Sequence, residues 1–506
     1  MDEKIPPNQD RDDAIESSTT PSTPGKRSLP HNVLITAILI LAHFTTQVGL
    51  GQLLAIVQII GASFNITSPS ILSWLSAGYS LTVGTFILIS GRLGDVFGYK
   101  RMLVIGYVWY AVFSLVAGCS LFSNYVLFIF ARVLQGVGPS ICLPNALALL
   151  GILFEPALGK NMAFAAFGAC APTGSIVGSI FAGVFALAWW PWTFWSFAMV
   201  LMVLAAVTAL AIPDTQIRTI RPRSFAEYTS HLDLSAATIG ITAMILFNFA
   251  WNQAPVVGWD SPYVLVCLIL AVLLFPAFLY LELRVSKYPL IPWSVFNRDN
   301  GFVLACIAMG WASFGIWVYY IWQIFLVSRG ISPILGGAYL TPMIITGIIA
   351  AGTTGYLLGV VRPAWLMVFS LSAFLTTALL TATLPPHQIY WAQIFVCTLV
   401  ATFGMEMSFP AATVYLSNSI AKEQQGVAAS LVSTVVNYSI SLGLGFAGTV
   451  EVNVRHGDSP EEVLNGYRGA LYIAVGFAGM GLATSVVFLA HTYWSGREGR
   501  KVEASD

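Results

Sequence analysis

The sequence predicts an all-α polytopic membrane protein that crosses the bilayer fourteen times, and three observations support this fold class. Hydrophobic residues make up 57% of the 506 residues and charged residues only 9%, whereas soluble proteins carry about 25% charged residues. Fourteen apolar stretches are each about 18 to 28 residues long, and a helix of that length crosses about 30 Å of hydrocarbon. Lys and Arg fall mainly into alternate connections between these stretches.

The predicted helices begin after residues 1–30, whose Asp, Glu, Ser, Thr and Pro content predicts a disordered tail. The helices cover residues 33–60, 70–91, 102–122, 125–150, 161–187, 193–212, 235–253, 263–283, 301–327, 335–357, 363–383, 390–416, 427–449 and 467–491.

We expect two six-helix units, at 31–212 and 301–492, separated by a linker at 213–234 and an inserted pair with its loop at 235–300. Residues 493–506 form a second tail. A weak internal repeat supports this division, because Gly355 to Gly359 repeats the spacing of Gly91 to Gly94. Repeats of this kind place a substrate cavity near the bilayer midplane, between the two units.

The distribution of basic residues predicts the orientation. Nineteen of the 23 Lys and Arg residues lie in the tails and in the loops on one side, and only Arg329, Arg455 and Arg468 lie on the other. Because basic residues concentrate on the cytosolic side, both tails are predicted to be cytosolic. We expect the plasma membrane, with the vacuolar membrane as the alternative.

Several classes of protein are excluded by what the pattern lacks. The six cysteines lie in apolar stretches without paired or metal-ligand spacing, which predicts buried free thiols. The histidines show no metal or acid–base spacing, and no G-x-x-x-x-G-K-[ST] segment is present to bind ATP. We therefore expect no enzyme activity, no metal and no cofactor. The net charge of zero gives no indication of nucleic-acid binding.

A short charged segment lies between the second and third predicted helices. Its glycines allow helix ends to approach closely, and its acid can pair with the basic residues around it. We predict a cytosolic loop that locks or frees one helix pair. The alternative is a basic loop that has no role beyond setting the orientation of the helices. The segment resembles the signature G-x-L-x-D-x-x-G-x-[KR]-[KR] of the major facilitator superfamily of transporters. Its residues are Gly91, Arg92, Gly94, Asp95, Gly98, Lys100 and Arg101.

The fourth predicted helix places Arg132 inside the hydrocarbon, where an unpaired arginine costs about 2.5 to 3.5 kcal/mol. Arg132 must therefore face protein or a wet cavity. The segment Arg132 to Gly138 resembles the R-x-x-Q-G-x-G signature of the same superfamily, and this resemblance implies that Arg132 and Gln135 take part in proton coupling. The alternative is an arginine that serves helix packing.

The fifth predicted helix carries Gly168, Pro172, Gly174 and Gly178, small residues that permit close helix packing and a proline that permits a bend. This stripe resembles the antiporter motif of the superfamily, although Ala171-Pro172 stands where that motif has Gly-Pro. The resemblance implies export.

Glu406, in the twelfth predicted helix, is the only acid that the apolar pattern places well inside a helix. A charged carboxylate is disfavoured in hydrocarbon, so Glu406 is predicted to bind and release protons. The alternative is a protonated Glu406 that bonds a neighbouring helix. Pro410 follows in the same helix and would let it bend.

Segments around Gln47 to Gln52, Phe247 to Gln253 and Gly404 to Gly445 resemble the fungal branch of the fourteen-helix drug/proton antiporters, near the aminotriazole-resistance and boron-exporter group. The resemblance implies the major facilitator fold, two six-helix bundles with two extra helices between them, driven by the proton gradient without a cofactor.

Residues of the substrate cavity are predicted from helix faces. Gln47 and Gln58 share one face of the first helix, and Trp311 and Trp317 give the ninth helix an aromatic surface. Asn65 begins a glycosylation sequon, but the short loop predicts that it stays unmodified.

These observations favour a monomeric transporter in the lipid bilayer that exports a small organic molecule, such as a drug, toxin or secondary metabolite, in exchange for protons. We expect it to work by alternating access, in which the cavity opens to one side of the membrane at a time. The alternative is a facilitator or importer of a small polar solute such as ammonium, borate or a sugar. A nutrient sensor built on the same fold is a further alternative.

Overall fold

The computed structural model describes residues 29–153, 158–213, 224–295, 297–419 and 425–503. Within these ranges there is no strand, and fourteen helices are long and apolar enough to cross a membrane. This finding confirms the predicted fold class, including the inserted pair. The predicted tail up to residue 28, the basic linker residues Arg218, Arg221 and Arg223, and residues 504–506 lie outside the described ranges.

We number the membrane helices α1 to α14. Two shorter helices, Val57–Ser63 and Phe225–His231, follow α1 and precede α7. The membrane helices are α1 (Leu29–Leu54), α2 (Pro69–Phe97), α3 (Tyr99–Cys119), α4 (Tyr125–Leu153), α5 (Leu158–Ala188), α6 (Pro191–Ala211), α7 (Leu234–Val257), α8 (Pro262–Tyr280), α9 (Arg298–Gln323), α10 (Pro333–Leu358, interrupted at Thr341), α11 (Pro363–Ala382), α12 (Gln393–Asn418), α13 (Gln425–Val454) and α14 (Pro460–Glu503).

Proline begins many of these helices because its missing N–H is one that the first helical turn leaves unsatisfied anyway. Such prolines are Pro69, Pro191, Pro262, Pro333 and Pro363. They mark where the preceding connections end and the helices begin.

The helices α1–α6 pack against one another, and so do α9–α14. The two halves meet along two faces, α2 against α13 and α5 against α10. The helix α7 packs against both α2 and α13, and α8 packs on α7. We call the two ends of the bundle the Gly98 end and the Gln58 end, after residues at the α2–α3 turn and just beyond α1.

The charged segment between α2 and α3 is helical almost throughout, which corrects the predicted loop. Gly91, Gly94 and Asp95 lie within α2, whereas Lys100 and Arg101 lie in the first turn of α3. Only Gly98 forms the turn, with a φ of 98° that favours glycine. Any change at this segment therefore moves two helix ends together.

Two other expectations need correction. The first helix ends at Leu54 rather than at residue 60, because a two-residue turn separates it from Val57–Ser63. All six cysteines are free, but Cys119 is exposed and Cys170 and Cys267 are only partly buried. The prediction of burial is therefore wrong for Cys119 and only partly right for Cys170 and Cys267.

The seam between α1 and α5 depends on glycine. A Cβ atom at Gly174 would lie 2.5 Å from the Phe44 carbonyl oxygen, and one at Gly178 would lie 2.7 Å from that of Val48. Both distances are shorter than a van der Waals contact, so the two backbones touch only because side chains are absent.

We predict that Gly178→Ala lowers the melting temperature in detergent, because overpacking costs about 1 to 3 kcal/mol. The matched control is Gly352→Ala in α10, where a Cβ meets nothing within 4 Å. That change should leave the melting temperature equal or higher, because alanine favours helix over glycine by about 1 kcal/mol. Equal effects of the two variants would contradict the assigned seam.

Candidate functional site

A cavity of about 90 Å³ lies between the two halves. Four helices of each half line it, namely α1, α2, α4, α5, α9, α10, α12 and α13. This volume accommodates several water molecules, so ionisable side chains that face it can be hydrated inside the membrane.

The helix α9 supplies an aromatic wall with Trp311, Phe314, Trp317 and Trp322. The indole N–H of Trp311 donates to Ser408 Oγ at 3.1 Å, and that of Trp317 donates to Thr381 Oγ1 at 2.9 Å. These bonds satisfy the polar edges of both rings and fix their positions. Trp311 and Trp317, which the sequence predicted as substrate contacts, thus both line the cavity.

Glu406 and His43 bring ionisable side chains to the cavity from opposite halves. Glu406 is 4% exposed, and a Cβ at Gly168 of α5 would lie 3.7 Å from its Oε2 atom. Within the described ranges the Glu406 carboxyl receives no hydrogen bond, which disfavours the alternative of a purely structural Glu406. His43 Nδ1 lies 2.7 Å from the Phe167 carbonyl oxygen, on the side of the cavity that α1 and α5 form.

Gln47 also lines the cavity, with its Nε2 atom 3.3 Å from His43 Nε2. The α5 stripe is divided between two tasks. Gly168 and Pro172 line the cavity, whereas Gly174 and Gly178 lie against α1. The sequence indicated one packing motif, and the structure assigns half of it to the cavity wall.

Arg132 is fully buried behind the cavity rather than in its wall. Its Nη1 donates to Gln135 Oε1 at 2.5 Å and its Nη2 donates to the Gly49 carbonyl at 2.8 Å. Gln135 in turn donates to Ser114 Oγ at 2.6 Å. The guanidinium carbon lies 4.5 Å from the centre of the Tyr79 ring. A carbonyl, an amide and an aromatic face therefore compensate this charge.

Tyr79 connects Arg132 to the cavity, because its ring lies under the guanidinium and also lines the cavity. Its hydroxyl donates to the Thr46 carbonyl at 2.8 Å. No ion pair joins Arg132 to Glu406 in the described part of the chain; the structure places them in separate halves.

Asp95 and Arg92, in the charged segment at the Gly98 end, do not form the expected bonds between the acid and the basic residues around it. Asp95 accepts a hydrogen bond from the Tyr99 hydroxyl at 2.5 Å, and Arg92 donates to the Pro289 carbonyl at 2.5 Å. Among the described residues, no ion pair joins Asp95 to Arg92, Lys100 or Arg101. Arg92 instead ties the end of α2 to the connection between α8 and α9.

Gln58 does not line the cavity, which corrects its predicted role. The turn after Leu54 breaks the helical spacing on which that prediction relied. Gln58 Nε2 instead donates to Gln323 Oε1 of the other half at 2.5 Å. Nearby, a Cβ at Gly337 of α10 would lie 2.7 Å from Ile180 Cγ1 of α5. The halves therefore touch at the Gln58 end.

The cavity is lined from Trp322 and Leu340, near the Gln58 end, to Leu147 and Pro410, late in α4 and α12. Asn65, in the connection between Val57–Ser63 and α2, is exposed with a φ of 55°.

Besides Glu406, the described residues include three buried acids that the apolar pattern did not indicate, Asp233, Glu282 and Glu451. Glu451 lies in α13, is 2% exposed and accepts a hydrogen bond from the Tyr320 hydroxyl at 2.7 Å. The apolar pattern ended at residue 449, whereas the helix continues to Val454. Glu451 lies near the Gln58 end and does not line the cavity.

The sequence profile described as Major Facilitator Superfamily matches residues 36–444. A low affinity ammonium transporter of Saccharomyces cerevisiae is 47% identical, with 93% of this chain and 90% of the relative covered. The efflux pump terG of Aspergillus terreus is 44% identical, with 88% and 84% covered. The aminotriazole resistance protein of Saccharomyces cerevisiae is 35% identical, with 92% and 85% covered.

Among solved structures, a crystal structure of the peptide transporter POT in complex with sulfate superposes with a TM-score of 0.65 at 14% identity. The superposition covers 92% of this chain and 95% of that chain. At this identity the likeness concerns the fold alone.

We predict that Gln135→Leu destabilises the protein by about 1 to 3 kcal/mol, because it leaves a buried N–H of Arg132 without an acceptor. The matched control, Gln47→Leu, replaces a glutamine that faces the cavity and should change the melting temperature little. Thermal unfolding in detergent checks both. A Gln135→Leu protein as stable as the parent would show that the guanidinium does not need this partner.

Proposed function

Because the chain belongs to the major facilitator superfamily, whose members carry small molecules across membranes, we propose that it exports a small organic molecule in exchange for protons. The family match and the aminotriazole resistance relative confirm the predicted fungal branch of this superfamily. The protein is thus a transporter rather than an enzyme. The observation that carries the proposal is the Glu406 carboxyl, which lines the cavity and accepts no hydrogen bond from any residue that the structure describes.

In the proposed mechanism, Glu406 is charged only while water or a cationic group reaches it, because an unpaired charge in an apolar site costs much free energy. A proton that binds Glu406 neutralises the cavity and permits the halves to rearrange. Release of that proton on the cytosolic side restores the charge and the site for the next substrate. The proton gradient thereby drives export without a cofactor.

Two features support an organic substrate and the outward direction. The aromatic wall of α9 suits a molecule with apolar or aromatic surface. The outward direction is supported by the efflux pump terG, which is 44% identical. Each chain has its own cavity, so we propose that it acts as a monomer.

The second candidate function is uptake or facilitated movement of a small polar solute. The relative described as a low affinity ammonium transporter favours it, and so does the small volume of about 90 Å³. The two functions differ in direction. An exporter makes an overexpressing strain more resistant to aminotriazole and a deletion strain more sensitive, whereas an importer gives the opposite pair of phenotypes.

We predict that Glu406→Gln reduces pH-driven export of labelled aminotriazole at least tenfold, because glutamine cannot carry a proton. The assay uses inside-out vesicles with an imposed pH gradient. Exchange of aminotriazole without a gradient should be retained, since it needs the cavity but no net proton movement.

The matched control is Glu461→Gln, an exposed glutamate in the first turn of α14. It should export as the parent does. Undiminished pH-driven export by Glu406→Gln would refute the role of this carboxyl, and a parent that exports nothing under the gradient would refute proton-driven export.

A further inference from the structure

Two side chains of α1 on the cavity wall, His43 and Gln47, are hydrogen-bonded to each other. His43 Nδ1 lies 2.7 Å from the Phe167 carbonyl oxygen of α5, and its Nε2 atom lies 3.3 Å from Gln47 Nε2. The His43 ring also stacks on the Phe167 ring, with 4.8 Å between the ring centres. One residue of the neighbouring helix therefore fixes both the position and the plane of the imidazole.

These partners determine which nitrogen of His43 carries the hydrogen. A carbonyl oxygen only accepts hydrogen bonds, so Nδ1 carries the hydrogen and donates to Phe167. In the neutral ring Nε2 is then an acceptor, and the Gln47 amide nitrogen, which only donates, donates to it. A neutral imidazole with its hydrogen on Nδ1 thus satisfies both contacts.

The fixed imidazole in turn determines how the Gln47 amide is oriented. Because the amide nitrogen is bonded to His43, the Oε1 atom is directed away from the imidazole, and no described residue donates to it. Gln47 is half-buried and lines the cavity. An amide oxygen has two lone pairs, so this atom can accept hydrogen bonds from a ligand in the cavity.

The second acceptor of the wall, Glu406, lies near the same level of α5. Phe167 accepts the hydrogen bond of His43, and at the next residue, Gly168, a Cβ would lie 3.7 Å from Glu406 Oε2. The Gln47 side chain runs back along α1 to His43, one helical turn earlier, which brings its amide toward this level too. The cavity is thus flanked by an amide oxygen from one half and a carboxyl group from the other.

The strongest donors of the wall are directed into the protein. Hydroxyls and indoles that donate to protein acceptors are those of Thr46, Tyr79, Ser179, Trp311 and Trp317. No Lys or Arg lines the cavity in the part of the chain that the structure describes. The carboxylate and the amide oxygen therefore favour a ligand with N–H groups over one with carbonyl or anionic groups.

We propose that Gln47 Oε1 and the Glu406 carboxylate together select a small planar ligand with two N–H donors, such as an amino-substituted heterocycle or an amidine. His43 is the positioning residue of this pair, because it holds the Gln47 amide with its oxygen toward the cavity. The aromatic wall of α9 packs against the flat face of such a ligand. This inference rests on the proposed function, since it names the substrate class of the same cavity.

Competition binding to the purified full-length protein in detergent tests this selection. Labelled aminotriazole, whose ring N–H and amino group supply two donors, is displaced by unlabelled aminotriazole or by methyltriazole. In methyltriazole a methyl group of similar size replaces the amino group, and only one N–H remains. We expect methyltriazole to compete about tenfold more weakly with the parent protein, because one hydrogen bond is lost.

Gln47→Leu should bring the two affinities within twofold of each other, because aminotriazole loses its second acceptor and methyltriazole loses nothing. His43→Phe keeps a ring against Phe167 but leaves the Gln47 amide free to turn, so it should reduce the difference as well. The matched control is His456→Phe, which replaces an exposed histidine between α13 and α14 and should preserve the difference.

A structural role alone for either cavity side chain would lower the affinity for both compounds by the same factor, and this result would overturn the proposal. Equal affinity of the two compounds for the parent, or binding of neither, would overturn it as well. Because binding is measured at equilibrium and at one pH, a failure of proton-driven export would leave this comparison intact.

Discussion

Hydrocarbon offers no hydrogen-bond partner, so each polar group inside the membrane must be satisfied by the protein itself or by water in a cavity. Arg132 meets most of this constraint with Gly49, Gln135 and the Tyr79 ring, although its Nε atom has no hydrogen-bond partner among the described residues. The Ser441 hydroxyl lies between the Ala77 carbonyl of α2 and Asn248 Oδ1, whereas Asn248 Nδ2 has no partner in the described part of the chain. No described residue donates a hydrogen bond to Glu406, so its carboxyl depends on water in the cavity for hydrogen bonds. Hydrogen bonding thus distinguishes side chains that hold the helices together from the Glu406 carboxyl, for which we propose a role in proton transport.

The same constraint explains how the halves are joined. Within the described ranges, direct hydrogen bonds between the two six-helix units occur at two places, Gln58–Gln323 and Ser441–Ala77. The first lies just beyond a helix end, and the second is fully buried and shared with α7. The cavity between them is lined by four helices of each unit.

Much of this arrangement follows from the sequence, because length and composition determine the fourteen spans and an ionisable residue in an apolar run is easily seen. Arg132, Glu406, Trp311 and Trp317 were found in this way. Contacts between distant segments could not be found, such as that of Gln58 with Gln323, 265 positions away. Glu451 was missed because a polar last turn conceals where α13 ends. The bonds of α7 were missed because amides in one helix do not reveal their partners in two others.

If Glu406 carries protons through the cavity, the movement of protons and the movement of substrate are coupled. Liposomes that contain the protein and a pH-sensitive dye detect this coupling, since aminotriazole added on one side drives proton movement only if the two fluxes are coupled. We expect protons to move opposite to aminotriazole in the parent protein and to stay still in Glu406→Gln. Aminotriazole flux in the parent without any proton movement would contradict the claim.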